Sequence, residues 1–335
     1  MPLTEQQPDI TDLAIVGGGP VGLFATFYAG LRGMSARLLE ALPFVGGQVA
    51  ALYPEKRIYD VGGFPAVRGA ELVERLTEQA RFGAPRVHLG EPVTNLERSG
   101  EHVVLTTPVS TYRARAVLLA VGVGRFAPKS LGVPEVDRWA GRGLGHTVAD
   151  PSRFRGQPVL VVGGGDSALD WATELAEGGA AVTLVHRRDE FRAVESALGR
   201  AEAAGVVIRR SAVVEAVLGA DAPEAARIRN LKDGSTMEVP CRHVVLALGF
   251  SADLSLLRTW GLPLEGRGLV VSPDTMAVAP WIYAAGDAVA YPGKLKLIAT
   301  GFAEAALAVS AARQALEPGA HLQGGHSSDL GARPA

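Results

Sequence analysis

The sequence predicts an α/β protein that contains two strand–turn–helix units of the same kind. Glycine-rich turns occupy 17–22 (Gly-Gly-Gly-Pro-Val-Gly) and 163–168 (Gly-Gly-Gly-Asp-Ser-Ala), about half the chain apart. Apolar, mostly β-branched runs precede them at 13–16 and 159–162, and helix-like stretches follow both. Such a turn between a strand and a helix is typical of dinucleotide binding. We therefore predict two Rossmann-like dinucleotide-binding domains.

Three positions in each turn have a physical role in this prediction. The first allows the tight bend, the second lets the backbone approach a pyrophosphate, and the third must be small so that the helix packs on the strand. The helix N-terminus then presents free N–H groups and a positive dipole end. An ordinary β–α loop is the alternative for either copy alone. The predicted cofactor-binding residues are Gly17, Gly19 and Gly22 in the first turn, and Gly163, Gly165 and Ala168 in the second.

The end of the following strand carries opposite charges in the two copies. In the first copy, the run 36–39 ends in Glu40, and a carboxylate there fits the unphosphorylated ribose of FAD or NAD. In the second, cations replace it, and arginine pairs well with phosphate oxygens. A solvated basic loop is the alternative. The cations are His186, Arg187 and Arg188, with Arg192 one helical turn further on. We predict FAD at the first site and NADPH at the second.

Composition limits the classes of partner. The chain has 335 residues, 47% apolar, with 41 glycines, which suits two or three cores joined by tight turns. Its net charge of −2, with both signs mixed, predicts no nucleic-acid partner. No apolar run approaches the ~20 residues that cross a bilayer, and the N-terminus lacks a basic segment before an apolar core. We expect a soluble cytoplasmic protein with no membrane partner.

The single cysteine, Cys241, excludes an internal disulfide and a CxxC redox pair. The histidines are scattered without metal-ligand spacing, so no metal site is predicted. The stretch 165–169 has Leu169 where a nucleophile elbow has its last glycine. We therefore assign no catalytic triad.

Three segments follow from the order of the motifs. We predict an FAD-binding first part at 1–117, an NADPH-binding domain at 118–245, and a second FAD-binding part at 246–335 whose C-terminal tail covers the flavin. Gly286 and Asp287 follow the apolar stretch 282–285, and an amphipathic helix is predicted after them. A carboxylate at such a strand end meets a ligand hydroxyl or caps a helix. The NADPH domain is thus predicted to be inserted in a split FAD domain.

These motifs, with Gly-Gly-Gln at 46–48 and His-Arg-Arg-Asp-Glu-Phe-Arg at 186–192, resemble two-dinucleotide-binding flavoprotein reductases of the thioredoxin reductase type. The resemblance covers nearly the whole chain. Thioredoxin reductases carry a CxxC pair before the second glycine turn. Here that segment, 145–150, reads Gly-His-Thr-Val-Ala-Asp. The missing sulfur argues against disulfide reduction.

A closer resemblance is to the thioredoxin reductase-like class of ferredoxin–NADP(+) reductases, which lack the dithiol. It rests on the stretches 47–56, 59–65 and 325–328. The resemblance implies that Tyr53 and His326 stack on the two faces of the flavin ring, and it implies a homodimer. The other residues that it places at the FAD are Gln48, Val93 and Phe126 along the cofactor, Asp287 at the ribitol and Ser328 near the ring.

The activity that this resemblance implies is electron transfer between NADPH and ferredoxin or flavodoxin, by hydride transfer to FAD followed by single-electron steps. Two alternatives stay open: an NADPH-dependent flavin or quinone reductase or oxidase, and an FAD- and NADPH-binding redox sensor. Lys56, Lys294 and Lys296 are expected beside the flavin edge, where they would steer an acidic ferredoxin. Solvated surface lysines are the alternative.

Overall fold

The computed structural model describes residues 10–134, 136–146, 148, 150–191, 195–266 and 268–321; the side chains of 125–128, 195 and 250–253 are also outside the description. The chain divides into two compact units. The split unit comprises Met1–Arg125 and Ala252–Ala335, and the inserted unit comprises Phe126–Ser251. The sequence places the corresponding boundaries after 117 and 245.

The strands, in chain order, are β1 (Ile10–Val16), β2 (Ala36–Glu40), β3 (Arg57–Ile58), β4 (Val67–Arg68), β5 (Arg86–Leu89), β6 (Asn95–Ser99), β7 (His102–Thr106), β8 (Thr111–Leu119), β9 (Arg125–Pro128), β10 (Leu144–Gly145), β11 (Pro158–Gly163), β12 (Ala181–Val185), β13 (Val207–Arg209), β14 (Ala212–Leu218), β15 (Ala225–Asn230), β16 (Thr236–Pro240), β17 (His243–Ala247), β18 (Phe250–Asp253), β19 (Leu264–Glu265), β20 (Gly268–Val270), β21 (Ala277–Ala279), β22 (Ile282–Ala284) and β23 (Val289–Ala290).

The α-helices are α1 (Pro20–Leu31), α2 (Gly47–Leu52), α3 (Gly69–Ala80), α4 (Asp166–Glu177), α5 (Glu195–Ala203), α6 (Ser255–Thr259) and α7 (Ile298–Leu316). Short 3-10 turns occupy Arg81–Gly83, Val136–Trp139, Pro151–Phe154 and Gly286–Ala288. Among the described residues, no helix combines the length and the apolar character needed to cross a membrane.

The sheet of the split unit has the order β21-β22-β8-β1-β2-β5, and the hairpin β6–β7 pairs with β8. Strand β1 runs parallel to both β2 and β8, with Val16 opposite Leu39 and Leu119. The carboxyl ends of the three strands therefore meet at one edge, directly before the first glycine turn. Helices α1 and α7 pack on the central strands of the sheet, and α3 packs on α1. The carboxyl-terminal halves of β1, β2 and β8 are buried at successive positions and so on both faces, as is usual in a parallel sheet.

The sheet of the inserted unit has the order β10-β17-β11-β12-β13 and is parallel. Its side chains alternate between two cores, as the period of a strand requires. Val159 and Val161 pack toward α4 and α5, while Leu160 and Val162 pack toward the antiparallel sheet β14-β15-β16. The carboxyl edge again lies at a glycine turn, where Val162 is opposite Val185.

The chain passes between the units in β9 and β18, and these strands pair with each other. This pairing accounts for the later division points, since β8 continues to Leu119 and β17 to Ala247 before either crossing begins. Both predicted boundaries lie upstream, in or beside a central strand of a sheet.

Candidate functional site

The first glycine turn has a backbone that only glycine fits. Gly17 has φ +104°, and a Cβ there would lie 2.5 Å from the carbonyl oxygen of Ala120. A Cβ on Gly22 would lie 1.8 Å from the carbonyl oxygen of Gly17. Both distances are too short for real carbon–oxygen contacts, so any side chain at these positions displaces the turn. The predicted roles of bend and of helix–strand packing have this steric basis.

The N-terminus of α1 forms the wall of a backbone cradle. Gly19 is the N-cap, no side chain caps the helix among the described residues, and the first turn holds no acidic residue. The loop before α2 lies against it: Gly46 N–H donates to the Gly18 carbonyl at 2.7 Å, and a Cβ on Gly47 would lie 3.0 Å from Gly19 Cα. Uncapped N–H groups beside bare backbone fit a pyrophosphate.

Glu40, the last residue of β2, lies beside this cradle. The end of β2 is the predicted ribose corner of the first site. The Glu40 side chain is 6% exposed; Gly18 N–H donates to Oε2 at 2.5 Å and Leu42 N–H donates to Oε1 at 2.7 Å. Burial raises the pKa of the Glu40 carboxyl from its usual 4.5, while the hydrogen bonds from Leu42 and Gly18 lower it. Each oxygen keeps a lone pair for another donor, so the carboxylate fits a ribose diol.

A second set of predicted residues consists of Tyr53, Asp287 and Gln48. Tyr53 ends α2 and is half-buried, and its pKa is raised by burial and then by the charges of Asp287 and Asp60. The charges of Asp287 and Asp60 thus act on the Tyr53 hydroxyl. Gln48 lies beside Gly122, since a Cβ on Gly122 would lie 3.0 Å from Gln48 Nε2.

A buried ion pair supports the backbone at Gly286 and Asp287. Glu304 on α7 is 2% exposed, and its Oε2 accepts the N–H of Gly286 at 2.8 Å. Its Oε1 accepts the Tyr291 hydroxyl at 2.6 Å and pairs with Lys294 Nζ at 2.5 Å. Burial and the neighbouring Glu304 raise the pKa of Tyr291 to about 12.

The expectation that Lys294 faces a partner protein is wrong. Its side chain is 7% exposed and its charge is neutralised inside the split unit. Lys56 and Lys296, from the same expectation, are exposed. The sequence of the loop does not distinguish the buried lysine from the exposed ones, because the partner Glu304 comes from a helix further along the chain.

The second glycine turn is sterically restricted in a similar way to the first, although Gly163 does not share the positive φ of Gly17. A Cβ on Gly163 would lie 2.5 Å from the Ala247 carbonyl oxygen and 2.8 Å from Ala168 Cβ. Ala168 is fully buried between α4 and β11, which explains why the third position must be small. Gly165 is the N-cap of α4, again without a side-chain cap in the described structure.

His186 supports the second turn rather than carrying charge. Its ring lies where a Cβ of Gly164 would be, with Cε1 2.0 Å from that position. The ring is 8% exposed, contacts Phe191 and hydrogen-bonds through Nε2 to the Glu190 carbonyl at 3.1 Å. Burial, then the charges of the following arginines, lower the pKa of His186 from its usual 6.5, so the ring is neutral at pH 7. The ring packs against the backbone of the turn and forms what we call its floor.

Arg187 and Arg188 are exposed beyond this floor. Within the part of the chain that the structure describes, neither side chain has a hydrogen-bonding or ion-pair partner. Two exposed guanidinium groups at a strand end next to a glycine turn fit a phosphate.

The remaining predicted positions divide into two groups. Val93 is buried in the core of the split unit, next to β5. Arg192, His326 and Ser328 lie outside the described residues, and for Phe126 only the backbone, in β9, is described.

Three residues that contact these sites were missed by sequence reasoning: Gly122, Tyr291 and Glu304. Glu304 carries a usable signal, because it is an acidic residue within the small, apolar face of α7 beside Gly301 and Ala305. A charge on a buried helix face needs a partner and indicates a site. The others depend on contacts between distant segments.

Comparison with known proteins gives consistent matches. Residues 11–315 match the family described as pyridine nucleotide-disulphide oxidoreductase. A ferredoxin–NADP reductase of Saccharopolyspora erythraea is 47% identical over 325 residues, covering 97% of this chain and 99% of the relative. A ferredoxin–NADP reductase of Geobacillus kaustophilus is 40% identical over 328 residues, with the same two coverages. The thioredoxin reductase structure of Lactococcus lactis has a TM-score of 0.76 at 25% identity, covering 91% of this chain and 99% of that one.

Proposed function

Because the chain belongs to the pyridine nucleotide-disulphide oxidoreductase family, we propose that it is an FAD-containing reductase that transfers electrons between NADPH and ferredoxin. The resemblance and the fold class predicted from the sequence, two Rossmann-like domains of the thioredoxin reductase type, are confirmed by the family match and the solved neighbour. The relatives named ferredoxin–NADP reductase match over nearly their whole length, which supports the same activity here.

The single observation that carries the proposal is the opposite chemistry of the two ribose corners. In the split unit, the buried Glu40 carboxylate stands at the end of β2 beside an uncapped helix. In the inserted unit, the same position is neutral at His186 and is followed by two exposed arginines. A carboxylate repels a 2′-phosphate and arginines bind one. The first corner thus fits FAD and the second fits NADPH.

Disulfide reduction has no residue to perform it. Cys241 is the only cysteine; it is fully buried, and burial raises its pKa to about 12. A thiol in that state is neither nucleophilic nor paired for exchange. The electrons must leave by another route.

The work of the chain is to hold and shield the two cofactors. When bound, FAD accepts a hydride from NADPH and releases electrons singly. The glycine turns hold the pyrophosphates, Glu40 and Asp287 bind hydroxyl groups, and Tyr53 covers a face of the site and limits the access of water. His326 and Ser328 complete the cover in our proposal, as the resemblance implies. No described residue is required to move a proton.

An anaerobic titration tests this function. The purified holoenzyme is titrated with NADPH and in parallel with NADH, and the bleaching of its flavin absorbance is followed. We expect NADPH to bleach the flavin rapidly, NADH to do so at much higher concentration, and added oxidised ferredoxin to restore the colour. A colourless protein or a preference for NADH contradicts the proposal. Restoration by quinone or oxygen but not by ferredoxin supports the alternative reductase or oxidase.

For the acceptor, we propose ferredoxin or flavodoxin docking at the exposed loop around Lys296, which lies next to the buried Lys294 and follows the highly exposed Leu295. A cationic rim steers an acidic partner. Lys296→Glu is expected to raise the KM for ferredoxin about tenfold. The rate with ferricyanide serves as the control, and an equal loss with both acceptors would exclude docking at this loop.

We also propose a homodimer in the cytoplasm. The exposed apolar residues Val87 and Leu89 are two positions apart on the edge strand β5, so they share one face of it and offer a surface to a second copy. The lone buried cysteine suits a reducing compartment. Sedimentation equilibrium tests the dimer, and Val87→Glu with Leu89→Glu is expected to give a monomer that keeps its flavin.

A further inference from the structure

A second segment of the inserted unit lies beside the predicted 2′-phosphate corner. Strands β12 and β13 are parallel neighbours, so the residues that follow them leave the sheet at the same edge. His186 N–H donates to the Arg209 carbonyl at 2.9 Å, and Ala212 N–H donates to the His186 carbonyl at 3.0 Å. Ser211 N–H donates to the Arg188 carbonyl at 3.1 Å. Residues 209–212 are therefore fixed alongside 186–188.

The turn in this second segment is unusual. Ser211 has φ +49°, a left-handed conformation that side chains other than glycine's rarely adopt, and it is 8% exposed. Its backbone is held on both sides, since its carbonyl also accepts Leu231 N–H at 2.7 Å. The hydrogen bonds fix the turn, and with it the direction in which Arg210 leaves the backbone.

The Arg210 guanidinium lies across the loop that carries the other arginines. Its Nη1 donates to the Asp189 carbonyl at 3.3 Å, and its Cζ is 5.5 Å from the centre of the Phe191 ring. This ring is the one that packs against His186 under the glycine turn. Two contacts thus hold Arg210 at the predicted nucleotide corner. They leave other N–H groups of its guanidinium available to a ligand.

The nearby carboxylates pair only weakly with this cation. The Asp189 carboxylate is engaged by Lys232 Nζ at 2.7 Å, from the turn between β15 and β16, and by the Ser211 hydroxyl at 3.4 Å. Glu202 approaches Arg210 at 3.6 Å, but both side chains are well exposed, at 56% and 40%. Such exposed pairs contribute little and are easily exchanged. A phosphate can therefore replace Glu202 as the partner of Arg210.

We propose that Arg210 is a further specificity-determining residue, which binds the 2′-phosphate of the nicotinamide donor together with Arg187 and Arg188. This inference rests on the proposed function and adds a cation from a different strand to the predicted corner. Side chains from two segments then bind the phosphate. The hydrogen bonds between residues 186–188 and 209–212 set the distance between these segments.

Calorimetric titration of the holoenzyme with 2′,5′-ADP and with 5′-AMP tests this proposal. The two probes differ by the 2′-phosphate alone. We expect Arg210→Gln to weaken 2′,5′-ADP binding about tenfold and to leave 5′-AMP binding unchanged. Arg210→Lys keeps the charge but lacks the planar guanidinium group, so it is expected to recover part of the lost 2′,5′-ADP affinity. The matched control is Arg227→Gln, an exposed, ion-paired arginine on β15 of the same unit.

The outcomes separate the two proposals. If the unaltered protein does not prefer 2′,5′-ADP, the NADPH part of the proposed function fails. If it does prefer 2′,5′-ADP but Arg210→Gln behaves like Arg227→Gln, only the assignment of Arg210 is overturned. An equal loss for both probes would also overturn it, because that result reports a distorted loop. The ratio of the KM for NADPH to the KM for NADH gives an independent readout in turnover.

Discussion

Replacement of Lys294 by methionine isolates the buried ion pair under the Gly286–Asp287 corner. The pair joins two side chains that are 7% and 2% exposed, with Nζ 2.5 Å from Glu304 Oε1. Lys294→Met leaves the carboxylate buried with Tyr291 and the Gly286 N–H as its remaining donors among the described residues. Leaving one member of a buried pair without its partner costs about 3–5 kcal/mol. For a unit of this size, that corresponds to a fall in Tm of roughly 6–20 °C.

The chain offers a matched control two residues away. Lys296→Met removes the same charge from an exposed position in the same loop, and we expect a change within about 0.5 kcal/mol. The double variant Lys294→Met with Glu304→Gln removes both charges and is expected to be more stable than Lys294→Met alone by about 1 kcal/mol or more.

Urea denaturation of the holoenzyme, followed by the rise in flavin fluorescence, reports on the split unit. Lys294→Met is expected to release the flavin at a lower urea concentration, because Glu304 also fixes the backbone of Gly286 beside Asp287. If Lys294→Met and Lys296→Met denature at the same midpoint, the ion pair does not support the corner and the reasoning is refuted.

Three further predictions concern the glycine turns and their corners. Gly164→Ala places a methyl group 2.0 Å from the His186 ring, so we expect weaker NADPH binding with normal flavin content, measured by titration and absorbance; loss of flavin instead would contradict it. Glu40→Gln removes the charge from a buried acceptor of two backbone N–H groups, and FAD affinity is expected to fall about tenfold in reconstitution of the apoprotein. The folded pKa of His186 lies below the usual 6.5, so the unfolded chain binds more protons than the folded chain as the pH falls below about 6.5, and the free energy of unfolding falls with the pH there. His186→Gln is expected to flatten this slope in urea denaturation below about pH 6.5, and an unchanged slope would contradict this assignment.

The glycine turns and the ends of the strands after them could be predicted because their signals are local. The bend at Gly17 and the small third position at Ala168 depend on contacts within one strand–turn–helix unit. Glu40 likewise stands at a fixed place, as the last residue of β2. The steric restrictions of both turns and the position of Glu40 could therefore be predicted from the local sequence.

The contacts between distant segments could not be predicted in this way. His186 resembles a cation in the run with Arg187, but its burial depends on the missing Cβ of Gly164, in the turn that follows β11. Arg210 is adjacent to Arg188 only because β13 lies beside β12 in the sheet. Neither neighbour can be identified from spacing along the chain.

The division of the split unit constrains the order in which the two units fold during synthesis. Strand β22 completes the sheet beside β8, and α7 covers α1, yet both are synthesised after the whole inserted unit. On the ribosome, the apolar surfaces of α1 and β8 stay open until the last part of the chain emerges, whereas the inserted unit has all of its strands by then. The nicotinamide-binding module is therefore expected to acquire protease resistance first in timed translation, with flavin uptake as the final event of maturation.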